Sequence, residues 1–288
     1  MPINANFSLG YSSDELSLWQ AAHVLEGLDA SMANAWKLQA FEASGDPGRD
    51  VESLLESLRS EKVNAVVASA ERVPLDLPDD IQIAATLPRG VVNDALVCHI
   101  HLGFKDLPAG AKVGISSARQ SGQLLRLRDD VAIQNVNENI PENLAKIDAG
   151  ELDAVLLPWV DLRRLGLAWR VDDIFGVTNI LPYPGHGITA VLVRKGDEEL
   201  VASVSSTGHS STLRRLEAER EFAYAMGEVG NHGIAALASD YGQEGMRLVG
   251  RIVTPDGATM FEAERNILFG EEPKRLGEKV AGELRVKL

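Results

Sequence analysis

Gly114-Ile115-Ser116-Ser117-Ala118-Arg119 closes an apolar run and opens a polar one, and its residue types suit an anion. Backbone N–H groups at a strand-to-helix junction, two hydroxyls and a guanidinium make a seat for a carboxylate or phosphate. Gln120 adds an amide to the same turn. The plainer reading is a serine N-cap followed by a surface arginine. A second candidate is Pro184-Gly185-His186-Gly187, where a histidine stands between two glycines just before a strand. Those glycines let a ligand approach the backbone closely; the alternative is a tight turn with an exposed histidine.

Other clusters carry less. Cys98-His99-Ile100-His101 is too compact for a metal site, because neighbours on a strand point to opposite faces. No second ligand cluster accompanies it, so no metal is expected. Ser205–Ser211 contains His209 but lacks the strand-to-helix elbow that frames a nucleophilic serine. It reads as a linker ending in an N-cap, and His232, between Asn231 and Gly233, reads as a turn residue. No glycine-rich phosphate loop occurs.

The elements that would position these residues alternate. Ser13 before Asp14 and Glu15 signals a helix start. Trp36–Phe41 reads as a strand, and Val51, Leu54, Leu55 and Leu58 mark one helix face. Strands follow at 64–70, 81–86, 93–100, 112–115, 131–136, 153–157 and 187–194, with helices at 118–128 and 141–149 between them. That order predicts an α/β fold with a mostly parallel sheet. The helix-turn-strand units ending in Asn64-Ala65-Val66-Val67 and Asp153-Ala154-Val155-Leu156 echo each other, as two similar lobes would. After Ser205 a long helix, three strands and a closing helix suggest a separate α+β domain with an antiparallel sheet. Pro255-Asp256-Gly257 turns between its last two strands. The expected division is 1–88 with 183–200, then 89–182, then 205–288.

The chain has 288 residues and a net charge of −14, which repels nucleic-acid phosphates. Its lone cysteine permits no internal disulfide. No apolar run approaches the length of a membrane span, and the first residues lack the pattern of a secretion signal. A cytoplasmic monomer with a small-molecule partner, and neither nucleic acid nor membrane, is expected.

Several segments, in order, resemble the porphobilinogen deaminase (hydroxymethylbilane synthase) family. They are Leu18–Val24; Val73-Pro74 with Leu77-Pro78; Leu107–Gly110 through Ser116–Arg119; Lys146–Glu151 with Asp153-Ala154 and Leu165–Leu167; Leu181-Pro182 with Gly185 and Gly187; and Glu219-Arg220-x-Phe222 with Pro255–Gly257. The resemblance implies two periplasmic-binding-protein-like lobes around a cleft plus a small α+β C-terminal domain. It also implies a polycarboxylate substrate and a dipyrromethane cofactor on a cysteine.

Departures from the family pattern bear on that chemistry. The cysteine position holds Gly230, which has no nucleophilic atom, so no cofactor is expected. The family's Lys-Asp before Val-Pro is Glu71-Arg72. Its Arg-Arg after the paired serines is Arg119-Gln120, and two further arginine positions hold Asn137 and Asn143. Gly10–Glu15 loses a cation and gains two acids. The glycine-rich lid between Asp46 and Val51 is missing. The expectation is a catalytically silent relative that binds a small anionic ligand through Ser116, Ser117, Arg119, Gln120, Gly185, His186 and Gly187, in a binding or regulatory role. The alternative is a divergent, active hydroxymethylbilane synthase with a non-covalent primer.

Overall fold

The computed structural model describes residues 7–28, 35–242, 245–268 and 270–288. Its contacts divide the chain into two units: Met1–Gly90 with Gly185–Leu216, and Val91–Pro184 with Glu217–Leu288.

The first unit is built on a five-stranded sheet of β1 (Phe7–Ser12), β2 (Trp36–Phe41), β3 (Ala65–Ser69), β4 (Ile81–Thr86) and β10 (Thr189–Arg194), in the order β2-β1-β3-β10-β4. β1 pairs parallel with β2 and β3, whereas β10 runs antiparallel to β3 and β4. Helices α1 (Glu15–Gly27) and α2 (Pro47–Arg59) follow β1 and β2. Ala65 and Val67 of β3 pack in one cluster with Ala21 and Val24 of α1; Val66 and Ala68 pack in another with Leu54, Leu55 and Leu58 of α2. Burial on both faces explains the unbroken apolar sequence of β3.

The second unit repeats the plan with β5 (Asp94–Cys98), β6 (Lys112–Ile115), β7 (Ala132–Asn135), β8 (Ala154–Pro158) and β9 (Asp173–Ile174), ordered β7-β6-β8-β5-β9. Helices α3 (Ala118–Leu127), α4 (Ile140–Asp148) and α5 (Trp159–Arg164) belong to it. β5 is antiparallel to both its neighbours. Each sheet is therefore mixed rather than mostly parallel: an antiparallel strand sits inside it.

Beyond β10 come α6 (Glu198–Ser205) and α7 (Ser210–Met226). A three-stranded antiparallel sheet follows, β11 (Gly233–Tyr241), β12 (Gly245–Val253) and β13 (Met260–Leu268), then α8 (Pro273–Arg285). Phe222 of α7, Leu248 and Ile252 of β12, and Leu276 and Val280 of α8 form its core. Gly257, at φ +72°, makes the β12–β13 turn, whose Asp256 Oδ1 accepts from Ala258 N at 3.0 Å. Residues 206–209 form the short turn between α6 and α7; His209 caps α7, its Nδ1 accepting from Thr212 N at 3.2 Å. Among the described residues no helix is long and apolar enough to cross a membrane.

Candidate functional site

In the second unit β6 ends at Ile115 and Ser117 caps α3, its hydroxyl accepting from Gln120 N at 3.3 Å. Ser116 and Ser117 are half-buried, while Arg119 and Gln120 are buried. The seat for an anion is present, and the chain's own side chain sits in it. Gln120 Oε1 accepts from Ser116 N at 3.3 Å, Ser116 Oγ at 3.2 Å and Ser117 Oγ at 3.4 Å. Arg119 turns inward: its NH1 donates to Asp94 Oδ2 at 2.8 Å and to Leu181 O at 2.9 Å. Gln120 Nε2 donates to the other oxygen, Asp94 Oδ1, at 2.8 Å. Asp94 is 1% exposed. A buried guanidinium so paired is held by the protein itself. Gly233 lies against this turn, where an added Cβ would collide with the Arg119 backbone.

The Gly185–Gly187 turn belongs to the first unit and is buried. Gly185, at φ +83°, brings the chain so close to the turn after β3 that a Cβ would lie 3.1 Å from Ala70 C and Glu71 N. His186 is 2% exposed rather than open to solvent, with Nδ1 2.6 Å from Glu71 Oε2. Arg89 Nε donates to its carbonyl at 2.9 Å, and Gly90 N to that of Gly187 at 3.0 Å. The two candidate groups thus fall in different units.

The first unit also contains a pocket of about 40 Å³ at the C-terminal ends of β1 and β3. Its polar lining includes Ser12, Asp14, Gln20, Asp50, Ser69 and Arg72, and Leu54 and Val67 supply apolar wall. Asp14, rather than Ser13, caps α1, with Oδ1 accepting from Ser17 N at 2.9 Å and Oδ2 from Ser17 Oγ at 2.7 Å. Asp50 Oδ1 accepts from Ser44 N at 2.7 Å, and its Oδ2 from Ser12 Oγ at 3.4 Å. Gln20 Nε2 donates to Ser69 Oγ at 2.8 Å. Residue reading missed Gln20, Asp50 and Ser69, because each looks locally like an ordinary helix or strand-end residue. Asp14 entered it as an acid in the first turn of α1 and as a departure from the family pattern, Arg72 only as such a departure.

Cys98 faces the core at 1% exposure, and burial pushes its thiol up to about 12. His99 Nδ1 lies 2.7 Å from Ile147 O and His101 Nδ1 2.9 Å from Asp172 Oδ1, so the three side chains have separate surroundings. His232 Nδ1 lies 2.6 Å from Val229 O within its own turn. Gly230 is exposed at φ +63°, with no heavy atom within 4 Å of an added Cβ.

Two mixed α/β sheets and a small antiparallel sheet define a two-lobe fold of periplasmic-binding-protein type with an added C-terminal domain. The methionine binding protein MetQ shares that fold, with a TM-score of 0.50 and 13% identity, over 73% of this chain and 93% of its own. The family model described as porphobilinogen deaminase, dipyromethane cofactor binding domain, matches residues 7–202. The porphobilinogen deaminase of Thermus thermophilus is 31% identical over 89% of this chain and 88% of its own length. That of Acidithiobacillus ferrooxidans is 30% identical over 96% and 93%. The chain belongs to the porphobilinogen deaminase family, whose chemistry is that of tetrapyrrole biosynthesis.

This match corrects one expectation. Absence of a cofactor was inferred from Gly230, but the matched stretch is the domain that binds dipyrromethane in the family, and residue 230 lies outside it. Loss of a thiol removes one covalent bond, not a binding domain. Gly230 itself offers no side-chain atom for a thioether at this position.

Proposed function

We propose that this chain is a divergent transferase of the hydroxymethylbilane synthase type that holds its dipyrromethane primer without a covalent link. The carrying observation is the full-length likeness to porphobilinogen deaminases, cofactor-binding domain included, in a chain whose attachment position is a bare glycine. In this reading the chain's own groups bind and orient. In the first unit the hydroxyls of Ser12 and Ser69 line a pocket and offer hydrogen bonds to a polar ligand. The protein works as a cytoplasmic monomer on a small anionic molecule, with neither nucleic acid nor membrane as partner.

A second reading, binding without turnover in a regulatory role, is favoured by one feature. Gln120 and Asp94 occupy the groups that would otherwise meet a carboxylate in the second unit, and Arg72 stands where the resemblance implies a proton-handling aspartate. One experiment separates the two. The purified chain is incubated with porphobilinogen, with and without synthetic dipyrromethane, while substrate loss is followed; mass is read under native and denaturing conditions. Turnover that needs dipyrromethane, with an adduct lost on denaturation, supports the first reading. Ligand-induced stabilisation without turnover supports the second. Neither response refutes both.

A further inference from the structure

We propose that the outer edge of β13 is a strand-pairing surface that the chain holds shut with its own side chains, and that the partner excluded is a second copy of the chain. This property of the C-terminal sheet goes beyond the reading above and holds whichever ligand the protein takes.

β13 pairs with β12 and with no other strand among the described residues. At nine residues it is long for an edge strand. Such an edge presents a row of unpaired backbone groups, a ready template for another strand. The β12–β13 turn fixes which groups those are. Thr254 N donates to Thr259 O at 2.9 Å, so residue 259 points its backbone groups at β12. Direction alternates along an antiparallel strand. The odd-numbered residues of β13 therefore also point theirs at β12. Met260, Glu262, Glu264, Asn266 and Leu268 point theirs away.

The chain's own side chains land on this outward set. Glu262 O accepts from Lys287 Nζ at 3.4 Å and Glu264 O from Arg265 NH1 at 2.7 Å, while Leu268 N donates to Glu271 Oε1 at 3.1 Å. Two of these guards are tied to α8. Lys287 N donates to Leu284 O at 3.0 Å, and Arg265 NH2 lies 2.5 Å from Glu283 Oε1.

Charge placement works in the same direction. Glu262 and Glu264 share one face of the sheet, held there by Arg251 and Arg247 of β12. In a two-fold antiparallel pairing of β13 with its copy, directly opposed residues come from the same face. Centring that pairing on Ala263 sets Glu262 against Glu264. Centring it on Glu264 or Arg265 sets that residue against itself. Like charges directly opposite are destabilising. Blocked carbonyls and repelling registers are what keeps a long edge single.

The test removes the guards and follows the mass of the full chain in solution. Arg265→Thr and Lys287→Thr, singly and together, are compared with the parent by light scattering over a range of concentrations. Both side chains are exposed, and circular dichroism checks the fold. The parent is expected to stay monomeric, and the double variant to dimerise at least about tenfold more tightly. Hydrogen exchange locates the contact: the outward amides of Glu262, Glu264 and Asn266 should gain protection as concentration rises. Asn266→Pro, added to the double variant, should restore the monomer, because it deletes an outward donor and leaves the β12 ladder intact. A double variant that is monomeric at every concentration overturns the proposal. So does a dimer whose protection lies elsewhere, or a parent already paired along β13. Should the double variant lose its fold, each single variant decides by the same readings.

Discussion

Asp94→Ala tests whether Arg119 is a structural or a ligand-facing cation. The substitution removes both oxygens that Arg119 and Gln120 use, leaving the guanidinium with Leu181 O at 2.9 Å. Both partners are nearly sealed from water, at 1% for the Asp94 side chain and 7% for that of Arg119. Breaking a buried pair from one side costs about 3–5 kcal/mol. The stranded Gln120 amide adds about 1 kcal/mol. Asp94→Asn keeps an acceptor and loses the charge, so about half that cost is expected. The assay is hydrogen exchange of the β5 amides, which reads the opening free energy of that unit without assuming that the whole chain unfolds at once. Replacing both partners, Asp94→Leu with Arg119→Met, should recover most of the loss, because an apolar pair of similar size is often as stable as a buried ion pair. A loss below about 1 kcal/mol for Asp94→Ala would refute the reasoning, as would a double variant as unstable as the sum of the singles. If Arg119 instead serves a ligand, Asp94→Ala would free it and tighten carboxylate binding with little loss of stability.

Four further outcomes are expected. Gln120→Ala should empty the seat formed by Ser116 and Ser117, so that phosphate raises the melting temperature of the variant and not of the parent. Stability should fall as pH rises from 9.0, the ordinary value, towards about 12, the value of the buried Cys98 thiol, because only the unfolded chain releases that proton. The stabilisation is complete below that window, its loss approaches about 1.4 kcal/mol per pH unit, and urea midpoints of Cys98→Ala should show a shallower alkaline decline. Gly233→Ala should destabilise by about 1–3 kcal/mol, since its Cβ meets the Arg119 backbone; denaturant midpoints measure it. Gly230→Cys should fold with a left-handed backbone cost of about 1–2 kcal/mol. After incubation with porphobilinogen its denatured mass should carry two added pyrrole units, while the parent stays bare.

Local pattern made some of this legible and hid the rest. The apolar spacing of Val51, Leu54, Leu55 and Leu58 marks α2 because that face is the one it buries. Trp36–Phe41 and Lys112–Ile115 read correctly because turn residues bound them. Strand direction was not legible. β10 and β5 alternate no differently for running antiparallel, so the sheets were expected to be mostly parallel. The α1 cap moved from Ser13 to Asp14 because both are capping residues and only geometry chooses between them. α6 went unseen, its eight residues being too few to show a period. Asp94 and Arg119 stand 25 positions apart, and nothing local announces such a pair. An acid opening the otherwise apolar Asp94–Cys98 strand was the signal present. Gln120 was legible as an amide replacing a cation, though not as the occupant of the seat it helps to form.

The placement of β10 has a bearing on how the chain is made. It lies between β3 and β4, and β4 has no other ladder partner. β10 leaves the ribosome about 100 residues after β4, a delay of roughly 5–20 s at ordinary elongation rates. During that interval β3 presents one open edge, and β4 has nothing to pair with. The sheet of the first unit therefore closes after all five strands of the second unit's mixed sheet have been made, although it contains the start of the chain. Val91–Pro184 of the second unit is complete in synthesis before β10 emerges. A nascent chain halted before Thr189 would expose the apolar β3 edge to chaperones, and one released after Arg194 would not.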